Sequence, residues 1–245
     1  MEIQDMKFLD QETVIITILG EHACVAIVHR DCFPANRIRF KDAAASSKSL
    51  VLEFPEVAED RWEYSFVMVE VTPRRSVVKE DAVFKSACAN AVVLVSLNLM
   101  HRDLDAERSY DLLIPSRVIR TLMDNGKGQQ TVSWSAWRQE CRMFDVSRSD
   151  TIGDAQVHTS RYITTTMKLA LPDPDAQRRT LMPVVTIYDF DSIPALKKDV
   201  ATGDAEVVLE ESFLRERGVW KDDVVTAAPY RRIVSDIYVG PRERA

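Results

Sequence analysis

Glycine is scarce in this chain, with seven among 245 residues. None of the seven belongs to a G-x-G-x-x-G or G-x-x-x-x-G-K-S/T cradle, so nothing in the sequence prepares the close backbone approach that nucleotide phosphates require. No G-x-S-x-G elbow lifts a serine nucleophile out of a strand. Cysteine is sparse as well. Cys24, Cys32, Cys88 and Cys141 are four in a chain long enough to bury a core without staples. That count excludes a disulfide-built scaffold and predicts reduced thiols in an intracellular (cytoplasmic or nuclear) protein. Long apolar runs are missing. The longest, Thr13–Leu19, has a strand's length and falls well short of the ~20 residues of a membrane helix. Met1 to Phe8 is acidic where a secretory leader is basic, and no apolar core of a leader follows it directly. Basic clusters are missing too. Thirty-two Lys and Arg are interspersed with 38 Asp and Glu, for a net charge of -6. Neither nucleic acid nor an anionic membrane is therefore an expected partner.

The chain is rich instead in short β-branched runs that stop at polar or proline-containing segments. Thr13–Leu19 and Ala23–Val28 read as a hairpin, with Gly20 free to take positive φ at the turn. Ser49–Phe54 stops at Pro55, and Glu63–Val71 stops before Pro73. Ala91–Leu97 is almost wholly apolar, which fits a strand buried on both faces. Arg108–Ile114, Arg161–Leu169, Val184–Phe190 and Arg232–Val239 continue the series. Roughly a dozen strands at short spacing predict an all-β sandwich, barrel or propeller. Two helices are predicted. Ser116–Asp124 follows Pro115 and has Val118, Ile119 and Leu122 at helical spacing. Glu206–Arg217 ends at Gly218, although its Val207-Val-Leu209 start also suits a strand. Neither supports a parallel βαβ series. No linker interrupts the pattern, so residues 1–245 are expected to form a single strand-rich domain.

Several segments, in this order, resemble the C-terminal region of fungal F-box proteins. They are Trp134-Ser-Ala-Trp137 after the Pro115–Met123 turn, Tyr188-Asp-Phe190, and Gly218-Val-Trp-Lys-Asp-Asp-Val-Val-Thr-Ala-Ala-Pro-Tyr-Arg231. The resemblance spans about residues 80–239. It implies antiparallel, propeller-like sheets and a substrate-recognition role by protein contact. Four strands make a blade, so a dozen make three or four blades, possessing at most the smallest closed ring. No F-box segment is recognisable, and adaptor binding is not expected of this chain. A partial ring would leave sheet edges unpaired, which favours strand addition or self-association.

Chemically capable residues are few. His22, Cys24, His29 and Cys32 are a zinc-competent set by type, but His29 has the wrong strand parity and the spacing is cramped. His101 with Asp103 and Asp105, and His158 with Asp154, read as solvated loop residues rather than base and orienter. Cys141 beside Arg138 and Arg142 would favour a thiolate only if all three were close and exposed. Asp222-Asp223 and Glu210-Glu211 read as solvated charge. On a strand, Trp134 and Trp137 would face opposite ways. The expected reading is a non-enzymatic interaction module with no metal and no cofactor, whose contact residues are Trp137, Arg138, Arg142, Trp220, Tyr230 and Arg231. The alternative is a small-molecule-binding protein or hydrolase with a site assembled from loops.

Overall fold

The computed structural model describes residues 2–20, 23–29, 49–58, 61–71, 91–125, 130–147, 155–169, 181–191, 205–214, 216 and 218–236. Within them the chain is an all-β protein of successive antiparallel meanders. In sheet 1, β1 (Glu2–Phe8), β2 (Thr13–Leu19), β3 (Cys24–His29) and β4 (Ser49–Glu53) lie side by side in chain order, and β8 (Gln130–Val132) adds parallel to β4. Sheet 2 contains β5 (Trp62–Val71), β6 (Val92–His101), β7 (Glu107–Pro115) and β9 (Arg142–Asp145). Sheet 3 has the order β10 (Gln156–His158), β11 (Arg161–Leu169), β12 (Leu181–Asp189), β16 (Tyr230–Asp236), β13 (Ala205–Val208). A small ribbon pairs β14 (Ser212–Leu214) with β15 (Val224–Thr226). Helix α1 (Ser116–Asn125) follows β7, and the single turn α2 (Trp134–Trp137) leads into a 3-10 turn at Arg138–Glu140. Among the described residues no sheet closes on itself, and no helix is long and apolar enough to cross a membrane.

Sheet 2 is the middle layer. Alternation along β6 sends Val93, Val95, Leu97 and Leu99 into the core shared with Ile15, Val25, Ile27, Leu50 and Leu52 of sheet 1. Val92 and Leu94 point the other way and pack with Val157, Tyr162, Phe190 and Tyr230 of sheet 3. The apolar run at 91–97 is therefore two-sided, as its composition predicts, and each such side chain contributes ~1.5–3 kcal/mol by leaving water. The second face of sheet 1 buries Val14, Ile16, Ile18, Cys24, Ala26 and Val28. Sheets 1 and 2 also meet at their edges. Thr17 Oγ1 on β2 donates to Val67 O at 3.0 Å, and Asp5 Oδ2 on β1 accepts the Val69 N–H at 3.2 Å. A side-chain carboxylate thus satisfies a donor on the edge strand β5.

Some elements depart from what local pattern suggests. β1, which the strand series does not include, has no apolar alternation, since Ile3, Met6 and Phe8 are exposed. It forms because β2 offers a backbone ladder from Phe8↔Val14 to Glu2↔Leu19. The helix expected at Glu206–Arg217 is not there. Val207 and Val208 pair instead with Arg231 and Tyr230, and Ser212–Leu214 pairs with β15. A partner strand outweighs weak local helix propensity there. Trp134 and Trp137 lie on a helical turn, not a strand, and their rings meet edge-to-face at 5.0 Å. Among the described residues the glycine at positive φ is Gly218 (φ 83°). It opens a turn rather than ending a helix.

Candidate functional site

The chain concentrates its polar and aromatic side chains on the seam between sheets 2 and 3, and along the 218–231 segment that laces the layers together. Register explains the seam. Ser96 lies opposite Asp111, and Asp111 opposite Phe144, on the face of sheet 2 that looks toward sheet 3. From sheet 3, the opposed pair Tyr162 and Tyr188 looks back, with Tyr230 beside it. Phe144 stacks on Tyr162 at 5.8 Å and meets Tyr188 at 4.8 Å and Tyr230 at 5.9 Å. Rings at these separations fill one another's space and form a packed cluster. On the opposite face of sheet 3, the positions Arg161, Asp189 and Arg231 form a row across three strands. Asp189 is buried, accepts from Ser160 Oγ at 2.7 Å, and pairs with Arg161 Nε at 3.3 Å and Arg231 Nη2 at 3.2 Å.

The 218–231 segment acts as a strap. Its first part hydrogen-bonds the β4–β5 connection, with Ala58 N donating to Val219 O at 2.9 Å and Lys221 N to Glu56 O at 3.0 Å. Its last part reaches sheet 2, where Ala228 N donates to Cys141 O at 3.0 Å and Met143 N to Thr226 Oγ1 at 3.2 Å. Trp220, Val224, Thr226, Ala228 and Tyr230 are all buried, while Asp222 is exposed. From 224 to 230 the even positions line the core, and Val219 and Trp220 are buried ahead of them, which gives this segment's aromatic and small residues a packing reason.

The six expected contact residues are distributed along these features. Arg142 is 0% exposed and is the hub. Its Nε donates to Ala228 O at 3.0 Å, Nη1 to Glu210 O at 3.1 Å and to Thr226 O at 3.3 Å, and Nη2 to Glu210 O at 3.0 Å; Ser212 Oγ also bonds Nη1. The guanidinium stands 4.9 Å from the centre of the Tyr230 ring. Burial pulls its pKa below the ordinary value, and Tyr230, Cys141 and Glu210 oppose that shift. Trp137 is buried and donates Nε1–H to Glu53 O at 3.1 Å. Trp220 is buried against Tyr110, with ring centres 4.9 Å apart. Tyr230 belongs to the seam, and Arg231 to the Asp189 row. Arg138 is half-buried, and its carbonyl accepts from Cys141 Sγ at 3.2 Å. Trp137, Arg142, Trp220 and Tyr230 thus do not assemble into an exposed patch, because packing claims them.

The nucleophile and metal candidates fare as their surroundings dictate. Cys141 is fully buried, and burial raises its thiol pKa far more than Arg142 lowers it. Proximity to arginines therefore does not yield a thiolate. Burial, with some help from Glu53, pushes the Cys24 thiol up to about 11. His22, Cys32, Cys88 and Asp154 lie outside the described residues, and His29 Nε2 lies 3.7 Å from Glu12 Oε2. No group of three metal-competent side chains occurs among the described residues. His101 Nδ1 accepts the N–H groups of Asp103 and Leu104, each at 3.1 Å, and so shapes the β6–β7 turn. His158 is exposed on β10.

The fold and the seam define an all-β protein of stacked meander sheets. Searches against protein-family models, curated proteins and solved structures find no match.

Proposed function

We propose that this chain is a non-enzymatic protein-interaction module of the kind found in the substrate-recognition region of fungal F-box proteins, with its meanders arranged as propeller-like blades. The observation that best supports the reading is the contrast between interior and surface. The arginine, acidic and tyrosine side chains most capable of chemistry hold the fold together, Arg142 and Tyr162 between elements and Asp189 within sheet 3. Apolar side chains are left in solvent on one face of sheet 2: Phe66 (40% exposed), Met68 (42%) and Met100 (49%). Exposed aromatic and methionine side chains on a rigid sheet suit protein contact. The three resembling motifs support the same reading from a second side. Tyr188-Asp-Phe190 and Pro229-Tyr-Arg231 sit on neighbouring strands, with Tyr188 opposite Arg232 and Asp189 opposite Arg231. Affinity capture of the full chain after crosslinking in its native cell, followed by mass spectrometry, identifies the partner. The Phe66→Ser/Met100→Ser variant removes no fully buried side chain and is expected to weaken that partner about tenfold or more. Undiminished binding by the folded variant, or capture of no protein at all, overturns the reading.

A further inference from the structure

Asp111 is a buried carboxylate in an unusual setting. It sits on β7 with 5% exposure, at the seam between sheets 2 and 3. Ser96 Oγ from the neighbouring β6 donates to Oδ1 at 2.8 Å. Tyr162 OH from β11, in the other sheet, donates to Oδ2 at 2.6 Å. No cation among the described residues pairs with it. Arg142, on the same face, is directed at the carbonyls of Glu210, Thr226 and Ala228. Arg161 and Arg231 hold Asp189, on the opposite face of sheet 3. Arg232, opposite Tyr188, is 3.7 Å from Glu206. Across the strand register Asp111 faces Phe144, and the Tyr188 ring lies 5.6 Å from that of Tyr162. The bond to Tyr162 is thus a side-chain polar tie between two sheets, beside the aromatic and aliphatic contacts of the seam and the backbone bond from Val92 N–H to Thr159 O.

We propose that Asp111 is an acid-responsive latch, whose ionised form slackens the contact between sheets 2 and 3 and whose neutral form tightens it. A lone charge between packed layers favours any opening that lets water reach it, and a neutral carboxyl removes that pull while still hydrogen-bonding both hydroxyls. Burial raises the carboxyl pKa, against the lowering effect of the Tyr162 and Ser96 hydrogen bonds. The folded-state value therefore exceeds that of the unfolded chain. Ionisation weakens the folded seam above the folded-state value, and this penalty shrinks as pH falls below that value and is gone below the value of the unfolded chain.

Amide hydrogen exchange of the full chain, corrected for intrinsic rates and followed from neutral pH down into the ordinary carboxylate range, tests the latch. Wild-type peptides from β7 and β11 are expected to gain several-fold protection in acid. Asp111→Asn keeps shape without charge. It should already be protected several-fold more than wild type at neutral pH and should lose the response. Tyr162→Phe removes one donor to the ionised form and should move the response to higher pH. Equal pH responses in wild type and Asp111→Asn, or a response that moves to lower pH in Tyr162→Phe, overturn the proposal. If the Asn variant does not fold, the Phe variant alone decides it.

Discussion

Arg142 shows how far a residue's chemistry depends on what surrounds it. In sequence it stands beside Cys141 and near Trp137, which suggests a surface hot spot or an activated thiol. In the fold it is enclosed, and its guanidinium satisfies three carbonyls and a hydroxyl from two separate stretches of chain, 210–212 and 226–228. The planar fork reaches acceptors that diverge from one another, and a lysine cannot match that geometry. Arg142→Ala would leave Ala228, Thr226 and Glu210 carbonyls without their partner in a low-dielectric setting. The expected loss is about 3–5 kcal/mol in chemical denaturation. Arg142→Lys should recover less than half of it. A loss within experimental error for either variant would mean that water replaces the guanidinium freely, against its complete burial.

Elements formed where sequence period and partner agreed. β2, β4, β5, β7 and β11 lie within a residue or so of the β-branched runs that predict them, because alternation and a buried face reinforce each other. Short pieces such as β8, β9 and β10 carry too few residues for a period to show. The β10–β11 hairpin adds a case of local strain. His158 pairs with Arg161, so Thr159 and Ser160 make the turn, and Thr159 takes φ 57°. A β-branched residue is unfavourable there, and an L-residue in this region costs ~1–2 kcal/mol. The strain is held by docking at the tip. Thr159 O accepts the Val92 N–H and Ser160 O accepts the Phe190 N–H, both at 2.8 Å. Asparagine tolerates this conformation. Thr159→Asn should therefore raise stability by about 1 kcal/mol in thermal or urea unfolding. A decrease would show that the Thr159 hydroxyl, 2.6 Å from His158 O, outweighs the strain.

At the scale of the whole molecule, three layers share sheet 2 as their centre, and the strap joins the β4–β5 connection to sheets 2 and 3. Opening one layer exposes the next, so thiols inside the layers should report global unfolding. Cys24 and Cys141 are buried and have raised pKa values. Both are expected to resist a thiol reagent at about pH 8 in the native protein and to react once it is denatured. Mass spectrometry of the alkylated chain resolves them by position, and the fully denatured chain should show four free thiols. Rapid native labelling of Cys141 would mean that the strap opens locally, without unfolding of the layers.

The all-β class, most long strands and helix α1 follow from sequence alone, because a period of two or of 3.6 marks which face is apolar whatever the partner is. Other features depend on tertiary structure. β1 and β13 exist because a neighbouring ladder accepts them. The burial of Arg142 and Trp137 needed acceptors 86 and 84 residues away in sequence. The Asp111–Tyr162 contact needed two sheets to meet across a separation of 51 residues. Local pattern records the preference of a side chain for water or for core, but the partner of a polar group is chosen only when distant strands pack.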